Sequence, residues 1–202
     1  MKPRQDFDFS QAGLEDILAH IEALLTDAVT NRHNAFHTPV LLSIGLDGRP
    51  RGRTVVMRAF DASHRQIRCH TDIRSDKAAE IAKDARIGWV FYDSASKWQV
   101  RLQGRAVLHH RDDQAQAAWQ QSKRMSQICY GTNPAPGTVI AGADQFVLPQ
   151  EPDAIAAGEA HFSALICTYD EMEALWLGHK GHRRMRYRWM EGGEIQSEWL
   201  AP

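Results

Sequence analysis

TPVLLSIGLDGRPRGRTVVMRAF, residues 38–60, holds two apolar runs rich in β-branched residues, with Leu46-Asp47-Gly48-Arg49-Pro50 between them. Asp-Gly between such runs is the strongest short-range signal for a β-hairpin. Working outward, RQIRCHT (65–71) reads as a third strand after a polar turn at Asp61 to His64. RIGWVFYD (86–93) reads as a strand, and KWQVRLQGRAVLHH (97–110) as a long one with Gly104 as a candidate bulge. FSALICTYDEMEALWLG (162–178) and RRMRYRWMEGGEIQSEWLA (183–201) supply the last strands, with Gly192-Gly193 as a hairpin turn. Helical spacing marks residues 10–31, where Ser10 is the expected N-cap and Leu14, Ile17, Leu18, Ile21, Leu24, Leu25 and Val29 recur on one face. SDKAAEIAKDA (75–85) reads as a short helix capped by Ser75, and 111–131 as a further helix. Residues 131–160 are rich in Pro, Gly and Ala and read as loop. Six or seven strands that do not alternate with helices argue against a parallel α/β sheet. They predict a mainly β fold, a small antiparallel barrel with peripheral helices.

The 202 residues fit one domain, 1–202, in which a helix at 10–31 precedes a barrel at 38–202. Lys+Arg number 24 against Asp+Glu 25, so no global field points to nucleic acid or membrane, and any anion site must be local. The three cysteines, Cys69, Cys129 and Cys167, form no CxxC pair, against a disulfide framework or a structural zinc site. MKPRQDFDFS lacks the apolar core of a signal peptide, and no apolar run approaches the roughly 20 residues of a membrane span. The expectation is a soluble, cytoplasmic protein.

HTDIRSDKAAE, residues 70–80, ends a strand and starts a helix, with Arg74 and Lys77 flanking Ser75. The free N–H groups of a helix start, the helix dipole, two cations and the hydroxyls of Thr71 and Ser75 could together hold a phosphate without a glycine-rich loop. The plainer reading is that Ser75 merely caps the helix and the cations are solvated. Upstream, Arg53 and Arg58 bracket the apolar strand RTVVMR. Strict alternation puts them on opposite faces unless the strand is bulged. In KWQVRLQGRA, Gln99, Arg101 and Gln103 share one face and Trp98, Val100 and Leu102 the other. A glutamine amide there offers both donor and acceptor to a heterocycle edge. LWLGHKGHRRMRYRW (175–189) interleaves cations with aromatics, but it is too short for an RNA-binding strip, and the rest of the chain is not basic. His33 and His37 are followed by Pro39, and His179 and His182 lie in a glycine-containing turn, so no metal site is expected. No nucleophile turn or paired carboxylates stand out, and no catalytic residue is assigned.

RTVVMR, HTDIRSDK, FYD…KWQVRLQGRA, LWL…HRRMRY and EWLAP, in that order from about residue 38 onward, resemble the pyridoxamine 5′-phosphate oxidase-like family of FMN-binding split barrels. The resemblance implies a six-stranded antiparallel Greek-key barrel, a homodimer with FMN at its interface, and a small-molecule substrate. It matches Arg53, Thr54, Val55, Val56, Met57 and Arg58 to the flavin-contacting strand, and His70 and Thr71 to the end of the next strand. Ser75 and Lys77 match the residues that hold the FMN phosphate, and Gln99 the glutamine that approaches the flavin. Trp176 and Arg186 match contacts that the family supplies from the second subunit. Asp76 stands where family members often carry an arginine, and Arg74 is a candidate substitute. Arg58 and Arg101 are candidates to stabilise reduced flavin, and Arg58, His182 and Arg184 to contact substrate. The vitamin B6 oxidases grip the substrate phosphate with a Tyr and an Arg on the helix after the long strand; here those positions are Ala118 and Ser122, beside Trp119 and Lys123.

The function that follows from the resemblance is an FMN-dependent oxidoreductase that takes a hydride from a small substrate and is reoxidised by oxygen or another acceptor. A split barrel that holds flavin for sensing or storage without turnover is the alternative. A relative that has lost flavin for RNA or heme is a third reading.

Overall fold

A computed structural model of the protein describes residues 7–9 and 12–202. Three helices and four strands open the chain's framework: α1 (Leu14–Thr30), β1 (Val40–Ile44), β2 (Pro50–Thr54), β3 (Met57–Asp61), β4 (Gln66–Asp72), α2 (Asp76–Lys83), and later α3 (Asp113–Gln121). Between α2 and α3 run β5 (Arg86–Asp93) and β6 (Trp98–His109). After α3 come α4 (Arg124–Gln127), α5 (Pro152–Ala157), β7 (Phe162–Trp176), β8 (Arg183–Trp189) and β9 (Ile195–Leu200).

The hairpin read at 38–60 is present. β1 pairs antiparallel with β2 from Val40↔Thr54 to Ile44↔Pro50, and Gly48 takes φ +80° in the turn. That backbone region costs glycine nothing and a β-carbon 1–2 kcal/mol or so. All pairings are antiparallel, in the order β2-β1-β5-β6-β7-β4-β3, with β8 and β9 branching from β7.

The architecture is the expected mainly β split barrel with peripheral helices, with nine strands among the described residues in place of six and a sheet that does not close there. Three features account for the count. RTVVMR is not one strand: it breaks at Val55-Val56, where the Val55 N–H turns to the Pro39 carbonyl at 2.9 Å, so β2 and β3 end opposite edges of the sheet. β7 carries two neighbours on one edge, β4 along Phe162–Thr168 and β8 along Glu171–Trp176. The terminal hairpin then adds β9. The change of neighbour falls at the bulge read at Gly104. Register runs Gln103↔Glu171 and then Gly104↔Tyr169, which leaves Asp170 as the extra residue. A β-carbon on Gly104 would lie 2.2 Å from the Thr168 carbonyl oxygen, so no other residue fits this crossing.

The inner face is apolar by alternation. Trp98, Val100 and Leu102 of β6 are buried while Gln99, Arg101 and Gln103 face outward, and Trp89, Phe91, Leu165, Cys167 and Tyr169 fill the same core. Each fully buried large side chain contributes about 1.5–3 kcal/mol. Ile17, Ile21, Leu25 and Ala28 lay one stripe of α1 on this core. The helix starts at Gly13, whose N–H donates to Asp16 Oδ2 at 2.9 Å. Ser10, the expected N-cap, lies outside the described residues. The Tyr187 hydroxyl donates to the Leu14 carbonyl at 2.7 Å and ties the helix start to β8.

Two expectations for the second half need correction. The helix at 111–131 breaks after Gln121, because the Ser122 hydroxyl donates back to the Ala118 carbonyl at 2.8 Å and Lys123 is extended (ψ 146°). The stretch 131–160 is not all loop: Pro152, at the first position of α5, starts a helical turn there. Among the described residues no helix is long and apolar enough to cross a membrane.

Candidate functional site

β4 ends at Asp72, and this buried carboxylate shapes the turn that follows. It accepts from the Arg74 N–H at 2.8 Å and from the Arg74 guanidinium at 2.9 and 2.7 Å. Arg74 also donates to the Thr132 carbonyl at 3.1 Å. Arg74 is thus paired with Asp72 at the edge of the turn. Ser75 occupies the N-cap position of α2, yet its hydroxyl donates backward to the Asp72 carbonyl at 2.7 Å and makes no cap bond. The first turn of α2 is left without a side-chain cap, a ready anion site.

Lys77 Nζ reaches back from that turn to Thr71 Oγ1 at 2.7 Å, and Thr71 Oγ1 lies 3.1 Å from Ser75 Oγ. Burial pushes the Lys77 ammonium below its usual range. A phosphate beside it would reverse that shift. A cleft of about 580 Å³ opens here, lined by Arg51, Arg53, Ser75, Lys77, Glu80 and Gly137 among others. Arg53 Nη2 pairs with Glu80 Oε2 at 2.7 Å, and the Ser43 hydroxyl donates to the same oxygen at 2.6 Å. Sequence reasoning missed Ser43 and Glu80. The available signal was spacing: Glu80 sits one helical turn beyond Lys77, on the same face of α2.

Arg58 goes elsewhere. The strand breaks before it, and the register shifts between Met57↔Cys69 and Ala59↔Arg68, so Arg58 is bulged out of the ladder. It donates to Ser126 Oγ at 3.2 Å and lines a second cleft of about 250 Å³ with Arg68, His70 and Lys123. Strict alternation does not apply across this broken, bulged segment; the break and the bulge put Arg53 and Arg58 in different clefts.

His70 packs edge-on against Phe162 at 4.8 Å. Burial first, then the charges of Arg68 and Arg58, push its imidazole from 6.5 down to about 3. The unfolded chain takes up this proton near pH 6.5 and the folded chain does not. The stability held by neutral His70 is thus complete above pH 6.5 and is lost as pH falls toward 3, by about 1–2 kcal/mol at pH 5. The melting midpoint is expected to fall between pH 7 and pH 5, and His70→Asn to flatten that slope; an identical slope in the variant would remove His70 as its source.

Gln99, Arg101, Arg184 and Arg186 lie on the outer face of β6 and β8, whereas Trp176 lies opposite Trp98 on the core side of β7. Arg101 and Arg184 both donate to Glu173, Arg184 Nε at 2.9 Å. Burial works to raise the Glu173 carboxyl, but the hydrogen bonds from Arg184 and Arg101 outweigh it and hold the group below its usual range. Gln99 stands between Tyr92 and Leu175 on the neighbouring strands. Arg186 grips Glu198 Oε1 at 3.0 and 2.6 Å. Trp176 packs on Phe9 at 4.9 Å, and His182 is exposed in the turn before β8. Of the flavin-strand residues, Thr54 is exposed, Val55 and Val56 are half-buried at the break, and Met57 is in the core.

An antiparallel sheet branched along one long strand thus frames an uncapped helix start that gathers a lysine and two hydroxyls. Residues 18–110 match the family model described as pyridoxamine 5′-phosphate oxidase, FMN-binding domain. Pyridoxine/pyridoxamine 5′-phosphate oxidase 2 of Arabidopsis thaliana is 33% identical over 108 residues, 48% of this chain and 52% of that protein. The chain spans about half the length of the curated relatives it matches. A pyridoxamine 5′-phosphate oxidase-related, FMN-binding protein of Nostoc punctiforme superposes with a TM-score of 0.74 at 27% identity, over 96% of this chain and 100% of that one. PhzG from Burkholderia lata, solved with tetrahydrophenazine-1-carboxylic acid, shares the fold at a TM-score of 0.71 and 20% identity, over 98% of each chain. Residues 18–110 thus match the FMN-binding domain of pyridoxamine 5′-phosphate oxidase, a match that supports FMN as the cofactor, and the chain shares its fold with an FMN-binding relative of that oxidase.

Proposed function

We propose that this protein is an FMN-dependent oxidoreductase acting on a small molecule, with the flavin phosphate held where α2 begins. The observation that carries the reading is Lys77: a half-buried ammonium turned onto Thr71, beside Ser75, at a helix start with no side-chain cap. These donors fit a phosphate monoester, which can accept from an ammonium, hydroxyls and backbone N–H groups together. Arg53, oriented by Glu80 and Ser43, flanks the same cleft. Bound FMN supplies a two-electron acceptor that returns its electrons to oxygen or another acceptor.

Arg58 and His70 line the neighbouring cleft, where a neutral imidazole and a guanidinium orient the substrate. Arg101 and Arg184, held by Glu173, present positive charge on the outer sheet face. Trp176 and Arg186 act from a second copy of the chain. An apolar ledge on the outer face of β1, β5 and β6, including Leu42, Ile44 and Val90, supports such a homodimer. The tie from Tyr187 to α1 supports reading the chain as one domain.

The test is anaerobic mixing of the FMN-loaded protein with pyridoxamine 5′-phosphate, pyridoxine 5′-phosphate and reduced nicotinamides. Bleaching of the flavin by one of them, and recovery of colour on admitting oxygen, supports the oxidoreductase. Stable bound flavin that none of these reduces favours the storage or sensing reading.

A further inference from the structure

The cleft at the start of α2 is balanced in charge. Three cations line it, Arg51, Arg53 and Lys77, and three carboxylates, Asp47, Asp76 and Glu80. Four of the six are paired with each other: Arg51 Nη2 lies 3.0 Å from Asp47 Oδ2, and Arg53 Nη2 2.7 Å from Glu80 Oε2. Lys77 and Asp76 remain, neighbours in the first turn of the helix. The Lys77 ammonium turns back onto Thr71. Asp76 is exposed and makes no hydrogen bond or ion pair among the described residues.

Asp76 bears on a bound phosphate through its place in the helix. A carboxylate in the first turn is favourable to the helix dipole, so in the flavin-free protein Asp76 itself supplies negative charge to the uncapped helix start. The carboxylate also lies close to the far wall of the cleft: a β-carbon on Gly137 would be 3.6 Å from Asp76 Oδ2. A phosphate monoester that enters here meets a fixed like charge. The repulsion offsets part of the attraction of Lys77, and with no net charge on the lining residues no surplus cation compensates.

We propose that Asp76 acts as an internal competitor of the flavin phosphate: it holds the affinity of the cleft down, so that FMN is an exchangeable ligand, and it sets how fast the protein gives its flavin back. This inference rests on the flavin-site reading above, which puts the FMN phosphate at the start of α2.

The experiment is calorimetric titration of the flavin-free chain with FMN and with riboflavin, for the wild type, Asp76→Asn and Asp76→Glu, at low salt and at about 0.5 M salt. Asp76→Asn is expected to bind FMN about tenfold more tightly than the wild type, the scale of one solvent-screened like-charge contact, and riboflavin equally well. Release of FMN on dilution, followed by flavin fluorescence, should slow by a similar factor. Asp76→Glu keeps the charge and should stay within about twofold of the wild type, and high salt should narrow the gap between Asp76→Asn and the wild type. The melting midpoint of flavin-free Asp76→Asn should lie at or just below that of the wild type, because the helix loses a favourable charge. FMN bound no more tightly by Asp76→Asn, an equal gain for riboflavin, or a gap that salt leaves untouched overturns the proposal. No uptake of FMN by any of the three chains overturns the flavin-site reading, and this proposal with it.

Discussion

Lys77→Ala is expected to weaken FMN binding by about 10- to 100-fold, the worth of one charge-assisted hydrogen bond in a desolvated site. Lys77 lies in the first turn of α2, and among the described residues its only side-chain hydrogen bond runs to Thr71. Removing it leaves no buried carboxylate unpaired, because Glu80 keeps Arg53 and Ser43. The fold should therefore survive, and the loss should be specific to the phosphate. Equilibrium dialysis of FMN and of riboflavin against the variant checks this. FMN affinity should drop toward that of riboflavin, whose affinity should hold. An equal loss for both ligands would mean that Lys77 supports the ring pocket or the fold and not the phosphate.

Arg53→Ala should act through stability as much as through the flavin. Glu80 is 5% exposed and relies on Arg53 at 2.7 Å. Breaking a buried pair by removing one partner costs about 3–5 kcal/mol, because the other charge is left uncompensated. For a chain of this size that lowers the melting midpoint by roughly 6–20 °C. Glu80→Gln in the same chain removes the stranded charge and should restore most of the loss. Thermal melts of the flavin-free proteins separate the cases: a single variant as stable as the wild type, or a double variant no more stable than the single one, would contradict this account of the pair. It follows that a cofactor loss in Arg53→Ala/Lys77→Ala, expected to be complete, is interpretable only beside the melt.

The local signals were legible where the physics is local. Asp-Gly between apolar runs places the first hairpin, and strict alternation in KWQVRLQGRA separates the core face from the polar one. The gathering of Ser75 and Lys77 at a helix start was legible because both lie within one short stretch. What escaped depends on distant partners. The break at Val55-Val56 is set by a carbonyl at Pro39, and the double pairing of β7 by strands on either side of a bulge. Glu80 looked like one more charge on a short amphipathic helix until the fold set Arg53 and Ser43 against it. Arg74 shows the converse: sequence offered it as a phosphate ligand, and the turn bound it to Asp72 first.

The central claim is that the start of α2 takes the phosphate of FMN. The most direct measurement is a calorimetric titration of the flavin-free wild-type protein with FMN and, separately, with riboflavin, which differ only in that phosphate. The account predicts one FMN per chain, bound at least about 100-fold more tightly than riboflavin, since several charge-assisted bonds are at stake. Equal affinities for the two, or no uptake of either, would contradict it.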